Sequence, residues 1–404
     1  MRVSTGMIFQ RGLEAMQRQQ SNLLDTQQHI AANKRVMKPS DDPVAASRAV
    51  ETSQAKALNA QYGANQAAAR DALGLAESTL GNIGDVLQDA RVLLLNAGSG
   101  TLADQDRQSI ALELQAKLSQ LIGLANSRDG AGGYLFSGYQ EQAQPFTPTQ
   151  TGAAYNGDQG QRELQVDSGR SITISENGVE LFERIRQGNG TFVTASAATN
   201  AGTGVISTGR TTGAVTAPIG YRLDFHVDAA GVTTYDVIDT TQVPEAIVGA
   251  PGTYVSGAAI VIGDMQVEIS GAPADGDQFS LAPAQNQSVF SMLNEAVAVL
   301  NTPPSDGAAR ARYTEGVERS LTNIDRALDR VLTVRTSMGA SLRELDSLGN
   351  AVQDNALHYN EQLSELLDLD YAAALTQFAR EQTALEAAQL SYQRMSTLSL
   401  FNYL

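Results

Sequence analysis

The chain has 404 residues, only three histidines and no cysteine, and this inventory limits the chemistry available to it. A thiol nucleophile is excluded. His29, His226 and His358 lack the close spacing of paired zinc ligands, although His29 and His358 would approach each other if the chain ends pair. No G-x-S-x-G elbow or Walker-type phosphate loop occurs. The sequence therefore predicts no catalytic, metal or cofactor site, and we expect that the protein is not an enzyme.

Adjacent carboxylates at Asp41 and Asp42 could suggest an acid–base pair or a cation site. The neighbouring residues favour a helix start instead, because Asp42 is a good N-cap and Pro43 suits the first helical position. Pro39 would end any helix that precedes it. We interpret Pro39, Asp42 and Pro43 as a helix break and cap.

Four further aspartates could bind calcium loosely, but their positions on predicted strands and turns favour ordinary surface acids. They are Asp224, Asp228, Asp275 and Asp277.

The elements that would have to position any site are long amphipathic helices, and the clearest covers residues 354–404. Its apolar side chains recur every seven residues, with a second row three or four residues out of step, as in the seam of a coiled coil. A helix of this length would extend about 70 Å, so its partner must be another long helix. The two rows are Leu357, Tyr371, Phe378, Leu385 and Tyr392, and Leu367, Ala374, Ala388 and Met395.

The first forty residues repeat the pattern, with Gln20 and Gln27 in one row of the seam. They carry six basic and two acidic side chains, whereas residues 354–404 carry seven acidic and two basic ones. Opposite charge favours pairing of the two ends. We predict an assembly interface made of Phe9, Leu13, Met16, Leu23, Ile30, Leu367, Tyr371, Phe378, Leu385, Tyr392 and Met395. Because such polar seams gain order from neighbours, we expect both ends to be loose in a monomer.

Between the ends, the sequence predicts helices over 44–97, from about 104 to 128, and from about 287 to 349 with a break at Pro303 and Pro304. Residues 133–286 differ, since they are rich in glycine and alternate with period two. A hairpin is predicted over 221–237, with further strands at 164–166, 172–174, 259–262 and 265–269. The stretch 194–216 is predicted as a loop or weak strands.

Together these patterns predict an α+β fold in which both chain ends form a long helical coiled coil and bundle around an inserted β-rich domain. The predicted domains are a terminal coiled coil (1–43 plus 354–404), a helical bundle (44–132 plus 287–353) and a β-rich surface domain (133–286). The net charge of −16 argues against a nucleic-acid partner, and no apolar run is long enough to span a membrane. The N-terminus lacks the features of a cleaved secretory signal.

The ends of the chain, and the borders of its β-rich part, resemble bacterial flagellar hook–filament junction proteins of the FlgL type, in the flagellin superfamily. The resemblance covers about 1–146 and 265–404. It rests on MRVSTGM at 1–7, GL at 12–13, KRV at 34–36, PSDDPVAAS at 39–47, YLFSG at 134–138, PF at 145–146, ISGAP at 269–273, GDQF at 276–279, ALEAA at 384–388 and LSL at 398–400.

This resemblance implies an extracellular axial component of the flagellum that is exported unfolded through the flagellar type III apparatus. It implies a junction layer on which flagellin polymerises. The implied partners are copies of the chain itself, the hook-side junction protein, flagellin, and an export chaperone at the C-terminal helix. The alternatives are a flagellin proper, disfavoured by the stretch 38–43, and an enzyme within the β insert, for which no candidate residues occur.

Overall fold

The computed structural model describes residues 5–99, 102–130 and 132–397, and the chain divides into two compact units. Unit 1 comprises Met1–Gln66 and Ser347–Leu404, and unit 2 comprises Ala67–Asp346. The helices of the described residues are α1 (Thr5–Ala32), α2 (Pro43–Ala97), α3 (Asp104–Ala125), α4 (Val289–Leu300), α5 (Gly307–Leu367) and α6 (Tyr371–Thr397). No described helix is both long and apolar enough to cross a membrane. The predicted combination of terminal helices with a β-rich middle is confirmed.

The C-terminal helix differs from the prediction. Residues 354–367 belong to α5, and a break at 368–370 separates it from α6, so one unbroken helix over 354–404 is wrong. Asp370 causes the new start, because its carboxylate accepts hydrogen bonds from the amides of Ala372 and Ala373, both at 3.0 Å. A side chain that satisfies these otherwise unpaired amides is a helix N-cap.

In unit 2, the second half of α2 packs along the first half of α5. Leu80, Ile83 and Leu94 of α2 are fully buried, and the Tyr313 hydroxyl of α5 donates to the carbonyl of Ala97 at 2.8 Å. This apolar face follows the 3–4 spacing read from the sequence. Helix α3 packs against α4, and a Cβ on Gly316 of α5 would lie 2.9 Å from the methyl carbons of a valine in α4. Small residues thus allow close helix packing.

The strands of the described residues all lie in unit 2. They are β1 (Phe146–Thr149), β2 (Gly152–Tyr155), β3 (Glu163–Asp167), β4 (Arg170–Thr173), β5 (Ile185–Arg186), β6 (Phe192–Ser196), β7 (Val205–Ile206), β8 (Arg210–Thr211), β9 (Tyr221–Val227), β10 (Thr233–Asp239), β11 (Ala246–Ile247), β12 (Gly252–Thr253), β13 (Ala259–Ile262), β14 (Met265–Ser270), β15 (Gln278–Pro283) and β16 (Asn286–Gln287). The predicted hairpin is β9–β10, in which Thr233 faces Val227 and Asp239 faces Tyr221.

Two β regions result. Near the bundle, the hairpins β1–β2 and β3–β4 accompany a π-helical turn, Val179–Glu183, and a cluster of buried rings. The rings of Phe146, Phe182 and Phe290 lie with centroids 5.0 to 5.5 Å apart. The larger region has a sheet of order β11-β10-β9-β15-β6, with β12 also on β10, and a second sheet of β13, β14, β7 and β8. The inward residues of these strands form one apolar core.

The larger β region is anchored to α5 by two arginines that lie fourteen residues apart. Arg312 donates to the carbonyl of Asn200 at 2.9 Å, and Arg326 donates to the carbonyl of Gly188 at 3.2 Å. Residues two heptads apart lie on nearly the same face of a helix. One face of α5 therefore holds the insert through backbone carbonyls, independently of the sequence of the loops that supply them.

Replacing Leu80 by Ala tests the packing of α2 on α5. The side chain is fully buried, so its loss should lower the free energy of unfolding by about 3 kcal/mol. Urea unfolding followed by circular dichroism measures this. The matched control is Leu112→Ala on α3, where the leucine is 69% exposed and a loss below about 0.5 kcal/mol is expected. Equal losses would contradict the assigned faces.

Candidate assembly interface

In unit 1, helices α1 and α6 pack against each other in antiparallel orientation. At one end the rings of Phe9 and Tyr392 meet edge to face, with centroids 6.2 Å apart. At the other end the amide of Leu369 lies 3.4 Å from the carbonyl oxygen of Asn33. The two terminal helices of the described residues therefore pair with each other within a single chain.

On α1, half-buried residues recur with alternating spacings of three and four. They are Phe9, Gly12, Met16, Gln19, Leu23, Thr26 and Ile30. The row spaced by seven from Phe9 agrees with the predicted seam. The second row consists of Gly12, Gln19 and Thr26, each one residue earlier in the sequence than the position predicted. Leu13 is 43% exposed, and Gln20 and Gln27 are exposed as well. The prediction that these three lie on the seam within the chain is wrong.

The physical reason is the chemistry of the alternative row. Gly12 is small enough to allow close approach, and Gln19 and Thr26 both hydrogen bond to α6. A seam through Leu13 would bury more apolar surface at that position. It would also bury the side-chain amides of Gln20 and Gln27, which lie seven and fourteen residues further along the helix.

On α6, Ala374 and Glu381 are buried, and Phe378, Leu385, Ala388 and Tyr392 are half-buried. Tyr371 is 52% exposed and Leu357 on α5 is also exposed, so neither joins this seam. Leu367 is half-buried at the end of α5, away from the paired stretch. The predicted residue Met395 belongs to α6, but its side chain lies outside the described residues.

A buried acidic side chain forms a polar layer inside the seam. Glu381 is only 8% exposed. The Thr26 hydroxyl donates to its Oε2 at 2.7 Å, and Gln377 Nε2 donates to its Oε1 at 2.7 Å. Gln19 Nε2 donates to the backbone carbonyl of Glu381 at 3.3 Å. Both carboxylate oxygens are therefore satisfied, which a buried charge requires, and such a layer fixes helix register.

Residues 33–42, termed the connector, join α1 to α2. They lie beside the break at 368–370, which separates α5 from α6. The Arg35 amide donates to the carbonyl of Leu367 at 2.7 Å, and its guanidinium donates to the carbonyl of Leu366 at 2.8 Å. Lys34 and Asp368 form an antiparallel β bridge. The last carbonyls of α5 are thus paired by the connector.

Inside the connector, two carboxylates hold the backbone. Asp41 Oδ2 accepts from the amides of Met37 at 2.9 Å and Lys38 at 2.8 Å, and these bonds lower its pKa. Asp42 caps α2 by accepting from the Ala45 amide at 3.0 Å, which together with Arg35 lowers the pKa of Asp42. Pro39 lies in the turn between the helices, and Pro43 begins α2, as the sequence suggested.

Apolar side chains remain on the outer surface of unit 1. Leu24 of α1 and Leu375 and Leu390 of α6 are about half exposed. A surface groove of about 450 Å³ is lined by Val36, Met37, Ala46, Ala49, Val50 and Leu367, among others. Concentrations of exposed apolar groups of this kind mark interaction surfaces.

Sequence reasoning missed the polar layer and the second break, although both left signals. Position 381 falls in the row that contains Ala374 and Ala388, where an acid interrupts the apolar repeat. Asp370 precedes a run of alanines, which is a typical helix start. Among the described residues, no group of three or more acidic or histidine side chains is arranged to hold a metal ion.

Comparison with known proteins identifies chains that are similar to this one in sequence and in fold. Residues 3–141 match the bacterial flagellin N-terminal helical region, and residues 321–404 match the C-terminal helical region. Flagellar hook-associated protein 3 of Escherichia coli is 29% identical over 402 residues, 99% of each chain. The flagellar junction protein FlgL of Legionella pneumophila is 31% identical with a TM-score of 0.72, over 80% of this chain and all of that one. FlgL of Xanthomonas campestris is also 31% identical, with a TM-score of 0.71 over 78% and 99%.

Replacing Phe378 by Asp tests the seam in the isolated chain. Placing a charge against α1 should release that helix, so amide hydrogen exchange over residues 9–30 should accelerate roughly tenfold. The control is Leu375→Asp on the exposed side of α6, which should leave exchange in α1 unchanged. Similar acceleration in both variants would show that the two faces of α6 are not distinct.

Proposed function

The chain belongs to the family of flagellar hook-associated protein 3, also called FlgL, and from this premise we propose that it is a structural subunit of the junction between the flagellar hook and filament. The observation that carries the proposal is the match to hook-associated protein 3 over 99% of both chains, which includes the β-rich insert. The role is structural rather than catalytic.

The geometry of unit 1 supports assembly through the chain ends. The inner seam is satisfied within the chain, since Phe9 meets Tyr392 and Glu381 receives bonds from α1. Leu24 of α1 and Leu375 and Leu390 of α6, termed the outer leucines, are about half exposed instead. We therefore divide the predicted interface by role. Its seam residues hold the two ends together, and the exposed residues Leu13 and Tyr371 join the outer leucines in contacting neighbouring copies.

A subunit in the axis of the flagellum would have neighbours above and below it, and these are the remaining partners that we propose. We infer contacts with the hook-side junction protein on one side and flagellin on the other, in an extracellular layer on which flagellin polymerises. We further infer export of the unfolded chain through the flagellar type III apparatus. The exposed apolar side of α6, with Leu375 and Leu390, would suit an export chaperone before assembly. The looseness of both ends in the free monomer stays a prediction.

The alternative function is that of a filament subunit. Such a protein would be present in thousands of copies per filament, whereas a junction subunit occupies one thin layer. The full-length relatives at 29–31% identity are hook-associated and junction proteins, which favours the junction. The amount of this chain in sheared filaments, compared with that of the main filament protein, distinguishes the two.

Deleting the gene tests the proposed role directly. The mutant strain should build hooks but release unpolymerised flagellin into the medium, because filament growth would lack its base. Electron microscopy of hooks and immunoblotting of the culture supernatant measure this. Normal filaments in the deletion strain would refute the proposal.

Complementation of that strain tests the outer face of α6. Leu375→Asp, which should leave the folded chain intact, is expected to reduce the number of filamented cells at least tenfold, because a buried unpaired carboxylate would oppose each subunit contact. The matched control is Val232→Asp in the β9–β10 turn, where the valine is also about half exposed and full complementation is expected. Full motility with Leu375→Asp would remove this face from the interface, provided that the variant is exported at the normal level.

A further inference from the structure

An apolar groove on the surface of unit 1, termed the connector groove, is lined by the connector, the first turns of α2 and the end of α5. Val50 of α2 and Met37 of the connector both line it, and both are about half exposed, so the described part of the chain leaves the groove open. Small side chains on one face of α2 leave room for a bulky apolar group. They are Ala46, Ala49, Ser53 and Ala57.

Hydrogen bonds within unit 1 hold the connector side of this groove in place. Asp41 accepts from the amides of Met37 at 2.9 Å and Lys38 at 2.8 Å. The Arg35 amide donates to the carbonyl of Leu367 at 2.7 Å, which joins the connector to the part of α5 that lines the groove. A partner would therefore meet a preformed surface and lose little free energy in ordering it.

The segment that follows α6 has the chemistry to fill such a groove. Residues 398–404, termed the tail, have the sequence LSLFNYL. Five of these seven residues are leucine, phenylalanine or tyrosine, and none has a charged side chain. Among the described residues that line the connector groove, Lys38 is the only charged one. Burial of the apolar side chains of the tail against this surface would favour binding.

The exposed face of α6 is a second apolar surface that a neighbouring copy could present. It carries Arg380 close to Leu375 and Ala379. Placing this face in the connector groove would bring the guanidinium to a groove that already holds the ammonium group of Lys38, and like charges brought together oppose binding. The charges therefore favour the tail as the occupant.

The tail of the same chain is too short to reach this groove. Helix α6 begins beside the connector, where the amide of Leu369 meets the carbonyl of Asn33, and its other end lies beside Phe9. The helix has 27 residues and is therefore about 40 Å long. Seven residues span at most about 25 Å when fully extended. The groove of one copy is thus open to the tail of another.

We propose that the connector groove binds the tail of a second copy of this chain. Because the groove and the start of the tail lie at opposite ends of the α1–α6 pair, the contact is head to tail. Each copy then offers its tail to one neighbour and its groove to another. The place of this contact in a junction layer rests on the proposed function, whereas the docking itself is a property of the purified chain.

Fluorescence anisotropy on the dilute full-length chain tests the docking, with a labelled synthetic peptide of residues 391–404 as the probe. Saturable binding with a Kd below about 1 mM is expected for the native chain. Val50→Asp should weaken this binding at least tenfold, because an unpaired carboxylate would lie against the apolar tail. Val44→Asp is the matched control. Val44 is also exposed on α2 but does not line the groove, so this variant should bind the peptide as the native chain does.

Ala57→Glu is a second groove variant and should also weaken binding, and circular dichroism reports whether each variant folds. A scrambled peptide of the same composition should not bind. The docking is overturned if the native chain shows no saturable binding, if both groove variants bind as tightly as the native chain, or if the scrambled peptide binds equally well.

A peptide of residues 371–390 distinguishes the other occupant. If it binds the groove more tightly than the tail peptide, and Val50→Asp abolishes that binding, the groove accepts the exposed face of α6 and the proposal is wrong. Peptide binding is measured on purified protein without a flagellum. A negative result therefore rejects the docking alone, whereas the deletion strain tests the proposed function.

Discussion

The hydrogen bonds that Glu381 receives from Thr26 and Gln19 of α1 give the two paired helices a single register. Apolar contacts alone would not do so, because Phe9, Met16 and Leu23 repeat every seven residues and a slip of one heptad would again place them in a seam. Such a slip would deprive the buried carboxylate of Glu381 of its donor on α1, at a cost of about 1–3 kcal/mol. Register therefore depends on a polar layer rather than on the larger apolar contacts.

The paired helix breaks follow from that register. The connector follows α1, the break at 368–370 follows α5, and the two interruptions lie side by side. The last carbonyls of α5, which have no partner within their helix, therefore accept hydrogen bonds from the connector. Arg35 supplies a backbone amide and a guanidinium to the last residues of α5. Asp42 and Asp370 then cap the helices that follow. Backbone groups that a helix end normally leaves to water are thus paired within the chain.

A chain built in this way satisfies its inner seam alone and still presents apolar surface outside. The seam of α1 and α6 is narrow, so it buries one stripe of each helix and leaves leucines such as Leu24 and Leu375 exposed. Exposed apolar stripes of this kind mark interaction surfaces. The β-rich insert, in contrast, has a closed apolar core of its own and is held to α5 through backbone carbonyls.

Short-range patterns in the sequence were enough to predict the elements that depend on local chemistry. Asp42 with Pro43 predicted the start of α2, the 3–4 spacing around Leu80 predicted the buried face of that helix, and alternation predicted the hairpin β9–β10, because caps, helical periodicity and strand periodicity are properties of short segments. The residues that complete the seam could not be chosen from such patterns, because they depend on contacts between distant parts of the chain. Leu13 and Gly12 are both compatible with the heptad spacing from Phe9. Gly12 takes the seam position because its row continues through Gln19, which donates to the backbone carbonyl of Glu381, and Thr26, which donates to the carboxylate of that residue 355 positions away.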